Sequence, residues 1–225
     1  MLRRIVLHNI PFKRALSHVP IDDHFFGLTD EEIELRYTFR KFFEKEIPPE
    51  LAKQIDADDH YPEHRQFIKK CADMGILGLT VPEEYGGTNM GVFAGCLAGE
   101  EFSRVHAGLS MFVGAHTQLA TRVIEKNGST EQKKRFLPDL VSGDKIGALA
   151  MSEPNSGSDV MSMRLSATKK GDHYVLNGNK FWITNGPVCD TLVVYAKTDP
   201  TSSGGNSLTA FILDTNTGKW IGIVK

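Results

Sequence analysis

The apolar residues of this chain change their spacing near Gly143, and this change limits the folds that the chain can adopt. Between residues 29 and 141, apolar side chains recur every three or four positions, which is the period of an amphipathic helix. After Gly143 the apolar segments are short and often alternate with polar residues, as is typical of strands. The sequence therefore predicts an α+β fold, with an all-α domain followed by an antiparallel β domain.

Local signals set the limits of the predicted helices. Thr29 with Glu32, and Ser129 with Gln132, match the capping box that closes the first turn of a helix. Gly75 is predicted to end a helix in the left-handed conformation. The predicted helices span residues 29–47, 63–74, 90–105, 109–126 and 129–141, and residues 82–87 are predicted to form a loop.

Turn signals separate the predicted strands. Gly171, Asn177-Gly178 and Asn185-Gly186 supply the residues that tolerate a positive φ angle. The predicted strands span residues 146–151, 163–168, 173–176, 180–184, 192–196 and 208–213.

Charge and composition argue against several functional classes. The formal net charge of -2 gives no reason to expect nucleic-acid binding. No apolar run reaches the roughly 18 residues of a membrane helix, so no membrane span is expected. The three cysteines and eight histidines lack the spacing of a zinc or other metal site, and surface or packing roles are expected for the histidines.

The first 26 residues differ in composition from the rest of the chain. The first acidic residue is Asp22. The basic residues before it are Arg3, Arg4, Lys13 and Arg14. A basic segment without acidic residues is typical of a mitochondrial presequence, and a disordered basic arm is the alternative.

Two segments could carry chemistry. Residues 149–159, LAMSEPNSGSD, combine small, hydroxyl and amide side chains, so their backbone N–H groups could approach a flat heterocycle or a pyrophosphate. The same residues also suit an ordinary turn. In residues 180–186, KFWITNG, strand alternation would put Trp182 and Thr184 on one face, where an aromatic ring and a hydroxyl could hold a ring system. A half-buried strand with Trp182 in the core is the alternative.

Four stretches of the sequence closely resemble the acyl-CoA dehydrogenase family. They are LGLTVPEEYGG at 77–87, KKRFLPDLVSG at 133–143, ALAMSEPNSGSDV at 148–160 and NGNKFWITNG at 177–186. The resemblance implies a presequence or arm at 1–26, an N-terminal helical domain at 27–143 and a barrel-like middle β-domain at 144–225, truncated at its end, that binds flavin and acyl-CoA. It also implies that the helical-bundle domain that follows in the family is absent here.

The resemblance implies an FAD site built from the two segments. Thr184 is expected near the flavin N5, Trp182 along a ring face, and Ser158 near the pantetheine-phosphate portion of the acyl-CoA substrate. The implied cofactor-binding residues are Leu149, Ala150, Met151, Ser152, Glu153, Pro154, Asn155, Ser156, Gly157, Ser158, Trp182, Ile183 and Thr184.

The resemblance also implies a reaction. Residues 108–116, GLSMFVGAH, are most similar to the isovaleryl-CoA branch of the family, where Gly114 would leave room for a branched acyl tail. The implied activity is α,β-dehydrogenation of isovaleryl-CoA to 3-methylcrotonyl-CoA in leucine catabolism. Electrons would pass to electron transfer flavoprotein, and the enzyme would be a homotetramer of the mitochondrial matrix.

The catalytic base is expected outside this sequence. In the family a glutamate of the C-terminal domain removes the α-proton, so the resemblance puts the base beyond Lys225, and Glu100 and Glu101 are expected to be solvated or capping residues. This chain alone is therefore expected to be inactive. The alternatives are a non-catalytic fragment or splice product, another short- or branched-chain member, and, less favoured, a peroxisomal acyl-CoA oxidase.

Overall fold

The computed structural model describes residues 27–199, 201–202, 204–215 and the backbone of 220–224. The predicted presequence lies outside the described residues. None of the helices in the described part has the length and apolar content that crossing a membrane requires.

Helices make up the first part of the described chain. The helices are α1 Asp30–Glu46, α2 Pro49–Asp58, α3 His64–Asp73, α4 Val92–Val105, α5 Ala107–Gly114, the π-helical turn Ala115–Thr121, α6 Arg122–Asn127 and α7 Thr130–Val141. Because α5, the π-helical turn and α6 follow one another without a break, they form one helix in the region predicted at 109–126.

The predicted helix signals are confirmed. In α1 the Thr29 hydroxyl accepts a hydrogen bond from the Glu32 N–H at 3.3 Å, and the Glu32 carboxylate accepts one from the Thr29 N–H at 2.8 Å. Ser129 and Gln132 form the same reciprocal pair at the start of α7. Gly75 has a φ of 72°, the left-handed conformation predicted for it.

Helix α2 was not predicted. Pro48 and Pro49 were expected only to end α1, which ends at Glu46. Pro49 is also the first residue of α2, where the N–H that proline lacks would have no partner within the helix. Residues 82–87 form the predicted loop, with a single 3-10 turn at Glu83–Tyr85.

The second part of the described chain is a mixed sheet. Its strands are β1 Gly147–Ala150, β2 Ser166–Lys170, β3 His173–Asn177, β4 Thr191–Lys197, β5 Leu208–Asp214 and β6 Trp220–Val224. The strand order is β3-β2-β4-β5-β6, and β1 pairs with β4. β6 was not predicted. The predicted order of a helical part followed by a sheet is confirmed.

The sheet is not purely antiparallel. The pairs β2–β3 and β4–β5 are antiparallel as predicted, and β5–β6 is also antiparallel. In contrast, β1 runs parallel to β4 from Gly147–Thr191 to Ala150–Val194, and β2 meets β4 in parallel at Ser166–Lys197. Parallel pairing needs a long connection, and the chain from 151 to 190 provides it. The pairings of the described strands form an open path from β3 to β6, so the expected barrel-like closure is not seen among them.

The predicted strand at 180–184 is wrong. These residues form a loop, and Trp182 has a φ of 56° with 84% of its surface exposed. A left-handed residue interrupts strand geometry, so Trp182 and Thr184 do not share a strand face. The alternative that Trp182 is a core residue is also wrong.

Strand β1 packs directly on the helices. Ile146 and Ala148 belong to the same buried cluster as Phe43 and Phe102, whose rings stack at 4.2 Å between centroids. A Cβ atom on Gly147 would lie 2.8 Å from the Cβ of Ala120 in the π-helical turn. The strand and this turn therefore touch through backbone and small side chains.

Replacing Gly147 with alanine is expected to lower the free energy of unfolding by about 1–3 kcal/mol, because the added methyl group overpacks this contact. Urea denaturation followed by circular dichroism measures the change. Gly99→Ala is the matched control, since a Cβ atom there meets no heavy atom within 4 Å and alanine favours the helix. Equal stability of the Gly147→Ala and unmodified chains would contradict the tight packing.

Candidate flavin site

The two segments expected to form a flavin site lie side by side. The Phe181 N–H donates to the Ser152 carbonyl at 2.9 Å, and the Lys180 ammonium donates to the Met151 carbonyl at 2.8 Å. β1 ends at Ala150, so the chain leaves the sheet where these contacts begin. Two motifs that are separated in sequence therefore form one continuous surface.

A buried ion pair lies beneath this surface. The Lys180 ammonium is 3.0 Å from a carboxylate oxygen of Glu153, and the two side chains are 8% and 7% exposed. The Glu153 carboxylate also accepts hydrogen bonds from the backbone N–H groups of Arg164 at 2.6 Å and Leu165 at 2.9 Å. Removing one partner of such a pair typically costs roughly 3–5 kcal/mol, because the other charge stays buried.

The surroundings of the pair favour a charged carboxylate. Burial tends to raise the pKa of Glu153, but the N–H groups of Arg164 and Leu165 and the Lys180 ammonium outweigh it and hold that pKa below its ordinary value. Burial lowers the pKa of Lys180, and Glu153 offsets this in part. The ion pair is the state that satisfies the hydrogen-bonding capacity of both groups.

The surface above the pair exposes aromatic side chains. Trp182 is 84% exposed and Phe181 46% exposed, and their rings lie 4.7 Å apart between centroids at 69°. A tryptophan with positive φ is unusual, and strain of this kind is most often found where a residue has a function. An exposed ring held in this conformation can lie against a flat ligand.

The loop after β1 is bonded internally at Glu153 and Ser156 and is exposed at Gly157. Glu153 and Ser156 bond each other reciprocally through their backbones at 2.9 and 3.1 Å, so the expected turn is present. A Cβ atom on Gly157 would meet no heavy atom within 4 Å. The backbone of Gly157 is therefore open to close approach by a ligand.

The predicted cofactor residues differ in exposure. Leu149, Met151, Ser152 and Ile183 are partly buried, Ala150, Glu153 and Ser156 are buried, and Pro154, Asn155, Gly157, Ser158, Trp182 and Thr184 are exposed. The side chains of the exposed group can reach a ligand. The Glu153 carboxylate is bonded within the protein, so it is not available to a ligand.

Asn185 was predicted only as part of a turn, yet its side chain joins three parts of the chain. Its Nδ2 group donates to the Phe112 carbonyl at 2.9 Å and to the Gly147 carbonyl at 3.0 Å. Its backbone is left-handed, with a φ of 67°. The loop that carries Trp182 is therefore fastened to helix α5 and to β1. The Asn-Gly pair indicated the turn, but no local signal indicates the partners of the side chain.

His116 connects the helices to β1 from the other side. Its Nδ1 atom accepts a hydrogen bond from the Gly147 N–H at 2.9 Å, so Nε2 carries the proton and donates to the Leu140 carbonyl at 2.9 Å. Burial lowers the pKa of His116 to about 4, so the ring is neutral at pH 7. A packing role, as expected from the sequence, is confirmed for this histidine.

Glu101 does not have the solvated or capping role expected from the sequence. It is fully buried, and its carboxylate lies 2.7 Å from Arg40 and 3.2 Å from Arg36. Glu100 is exposed and pairs with Arg36. Arginines engage both carboxylates, which argues against either as a base. In the described part of the chain no cluster of His, Cys, Asp or Glu could hold a metal ion.

Comparison with known families gives two matches. The family model for the acyl-CoA dehydrogenase N-terminal domain matches residues 29–144, and the model for the acyl-CoA dehydrogenase middle domain matches residues 148–223. The two matches cover nearly all of the chain after residue 28.

Individual proteins give the same result. The chain is 50% identical over 190 residues to the mitochondrial isovaleryl-CoA dehydrogenase of Bos taurus, covering 84% of this chain and 44% of that protein. It is 48% identical over 206 residues to that of Pongo abelii, covering 90% and 48%. The chain thus spans less than half the length of these relatives. A crystal structure of acyl-CoA dehydrogenase complexed with FAD from Bacillus anthracis superposes with a TM-score of 0.77 at 34% identity, covering 85% of this chain and 32% of that one.

The neutral state of His116 predicts a pH-dependent stability. The folded pKa of about 4 lies below the ordinary value of 6.5, so the unfolded chain binds more protons between these pH values. The contribution of His116 to the free energy of unfolding is therefore complete above pH 6.5 and falls by about 3 kcal/mol as the pH drops to about 4.

Urea denaturation across this pH range tests the expectation. The difference between the unmodified chain and His116→Gln should shrink as the pH falls, whereas His173→Gln, at an exposed histidine, should follow the unmodified chain. A constant difference between the unmodified and His116→Gln chains would show that His116 does not titrate in this way.

Proposed function

This chain belongs to the acyl-CoA dehydrogenase family, and on that premise we propose that it provides the FAD and acyl-CoA binding surfaces of a flavin-dependent dehydrogenase. The observation that carries the proposal is the contact between the 151–153 and 180–184 loops, which puts the two segments that contain the predicted flavin residues side by side. Residues 27–143 are the helical domain and residues 144–225 the flavin-binding domain in this proposal.

The residues on this surface suit an FAD molecule. The exposed ring of Trp182 can cover one face of the isoalloxazine, and the exposed hydroxyl of Thr184 can hydrogen-bond its N5 edge. The open backbone at Gly157 and the exposed Ser158 can face the pyrophosphate and the substrate's pantetheine-phosphate. FAD, when bound, supplies the hydride acceptor, and the protein orients it and excludes water.

We propose a short branched acyl-CoA, isovaleryl-CoA, as the substrate and 3-methylcrotonyl-CoA as the product. A Cβ atom on Gly114 would meet no heavy atom within 4 Å, so helix α5 leaves space at the position expected to face the acyl tail. The two bovine and orangutan relatives are named isovaleryl-CoA dehydrogenases, which supports this choice. Another short- or branched-chain acyl-CoA is the alternative, because one methylene group in an apolar pocket changes binding by only about 1–3 kcal/mol.

The electron acceptor, the assembly and the pathway are proposed from the family resemblance. Electrons pass to electron transfer flavoprotein, the assembled enzyme is a homotetramer, and the reaction belongs to leucine catabolism. A mitochondrial matrix location is supported by the basic residues 1–26 and by the mitochondrial names of the relatives. The family resemblance puts the base outside this sequence, and the arginines that engage Glu100 and Glu101 argue against these two glutamates as the base. A non-catalytic fragment remains the alternative.

Thr184→Ala tests the flavin contact. The test protein is a chimera in which the C-terminal half of the bovine relative follows this chain. Loss of the hydroxyl should slow flavin reduction by isovaleryl-CoA by about 10–100-fold and alter the flavin absorption spectrum, because a hydrogen-bond donor to the N5 atom that receives the hydride is removed. Stopped-flow absorbance measures both. Thr168→Ala, at an exposed threonine of β2, is the control and should change neither. If Thr184→Ala matched the control, the assignment of Thr184 would be wrong.

Turnover by the chain itself tests the position of the base. The 225-residue chain should show no dye-coupled oxidation of isovaleryl-CoA with added FAD, while the chimera should be active. General base catalysis typically contributes about a hundred- to ten-thousand-fold, so its loss is easily measured. Robust turnover by the 225-residue chain would mean that it contains its own base.

A further inference from the structure

The contacts of Lys180 join segments that are far apart in sequence. Its ammonium donates to the Met151 carbonyl at 2.8 Å and to Glu153 at 3.0 Å, and it lies 3.5 Å from the Met163 sulfur. Through Glu153 the same cluster holds the N–H groups of Arg164 and Leu165, which precede β2. One ion pair thus connects the end of β1, the approach to β2 and the 180–184 loop.

The pair does not reach the surface that a ligand would touch. Both side chains are more than nine-tenths buried, and the bonds of their charged atoms run to the protein itself. Any effect on a bound ligand must therefore pass through the segments that they hold.

The 181–184 segment, which follows Lys180, has a backbone conformation that the surrounding structure must stabilise. Phe181 bonds Ser152 through its backbone N–H, and the next residue, Trp182, has a φ of 56°. A strained backbone conformation persists only where the surrounding structure fixes it. Asn185 fixes the far end of this loop, and Lys180 fixes the near end.

We propose that the Glu153–Lys180 ion pair is the positioning element of the flavin site, setting the spacing between the 151–153 and 180–184 loops without touching the flavin. This inference rests on the proposed function. Lys180 is not among the residues expected to contact the cofactor, and here it acquires a positioning role. Glu153 is expected to contact the cofactor, and here it acts by holding the two loops instead.

The order of the Trp182 loop is a readout that needs no ligand. The chain has two tryptophans, so the Trp220→Phe variant keeps only Trp182. The fluorescence anisotropy decay of Trp182 then reports motion of the loop on the picosecond-to-nanosecond scale. In this background Lys180→Met and Glu153→Gln should each increase the fraction of anisotropy lost to fast motion, and Lys180→Arg should restore much of the order. An unchanged decay in Lys180→Met would overturn the inference.

Two further variants separate positioning from general stability. Lys145→Met is the control, because it removes a lysine that pairs with Asp139 of α7 at 3.1 Å and with Asp214 of β5 at 3.4 Å, and it should leave the Trp182 decay unchanged. The double variant Glu153→Gln/Lys180→Met leaves no unpaired buried charge. It should fold even where the single variants do not, yet it should still show increased loop motion. A rigid loop in the double variant would count against the inference.

Flavin binding gives the second readout. In the chimera, Lys180→Met should weaken FAD binding at least about tenfold, a change of ~1.4 kcal/mol, measured by quenching of flavin fluorescence, while Lys145→Met should have no effect. An FAD affinity equal in the Lys180→Met and unmodified chimeras would contradict the inference. Failure of the unmodified chimera to bind FAD would contradict the proposed function instead, and the Trp182 decay would still decide the role of the ion pair.

Discussion

Gly147 is bonded on both of its backbone polar groups by side chains from other parts of the chain. Its N–H donates to His116 and its carbonyl accepts from Asn185. The Cβ atom of Ala120 lies so close that Gly147 has no room for a side chain. β1 therefore cannot shift without breaking contacts to the helices and to the Trp182 loop. Because β1 leads directly into the loop at 151–158, the helices determine where the candidate flavin surface lies.

The sequence predicted the features that depend on neighbouring residues. The two capping boxes and the left-handed Gly75 were found because each is a local hydrogen-bonding or backbone requirement. The loop after β1 was recognised from its small polar residues. The assignment of the chain to its family came from such stretches, and family comparison confirms it.

Features that depend on distant residues could not be predicted in this way. Alternation in KFWITNG favoured a strand, but the 180–184 segment is held as a loop by Lys180 and Asn185 through partners more than 25 residues away. The parallel pairing of β1 with β4 also depends on distant residues, and no local sequence pattern indicates the direction of a partner strand. Burial of Glu101 depends on arginines of α1, about 60 residues earlier.

The π-helical turn makes chain length matter as much as residue identity. In an α-helix each residue turns the side-chain direction by about 100°, and the wider Ala115–Thr121 turn changes the phase between α5 and α6. Deleting one residue there would restore the regular spacing of about 100° between side chains. His116 could then no longer bond both the Leu140 carbonyl and the Gly147 N–H. In homologous sequences this stretch should therefore keep its length, because a gap would displace His116 and Ala120 together from their contacts with β1.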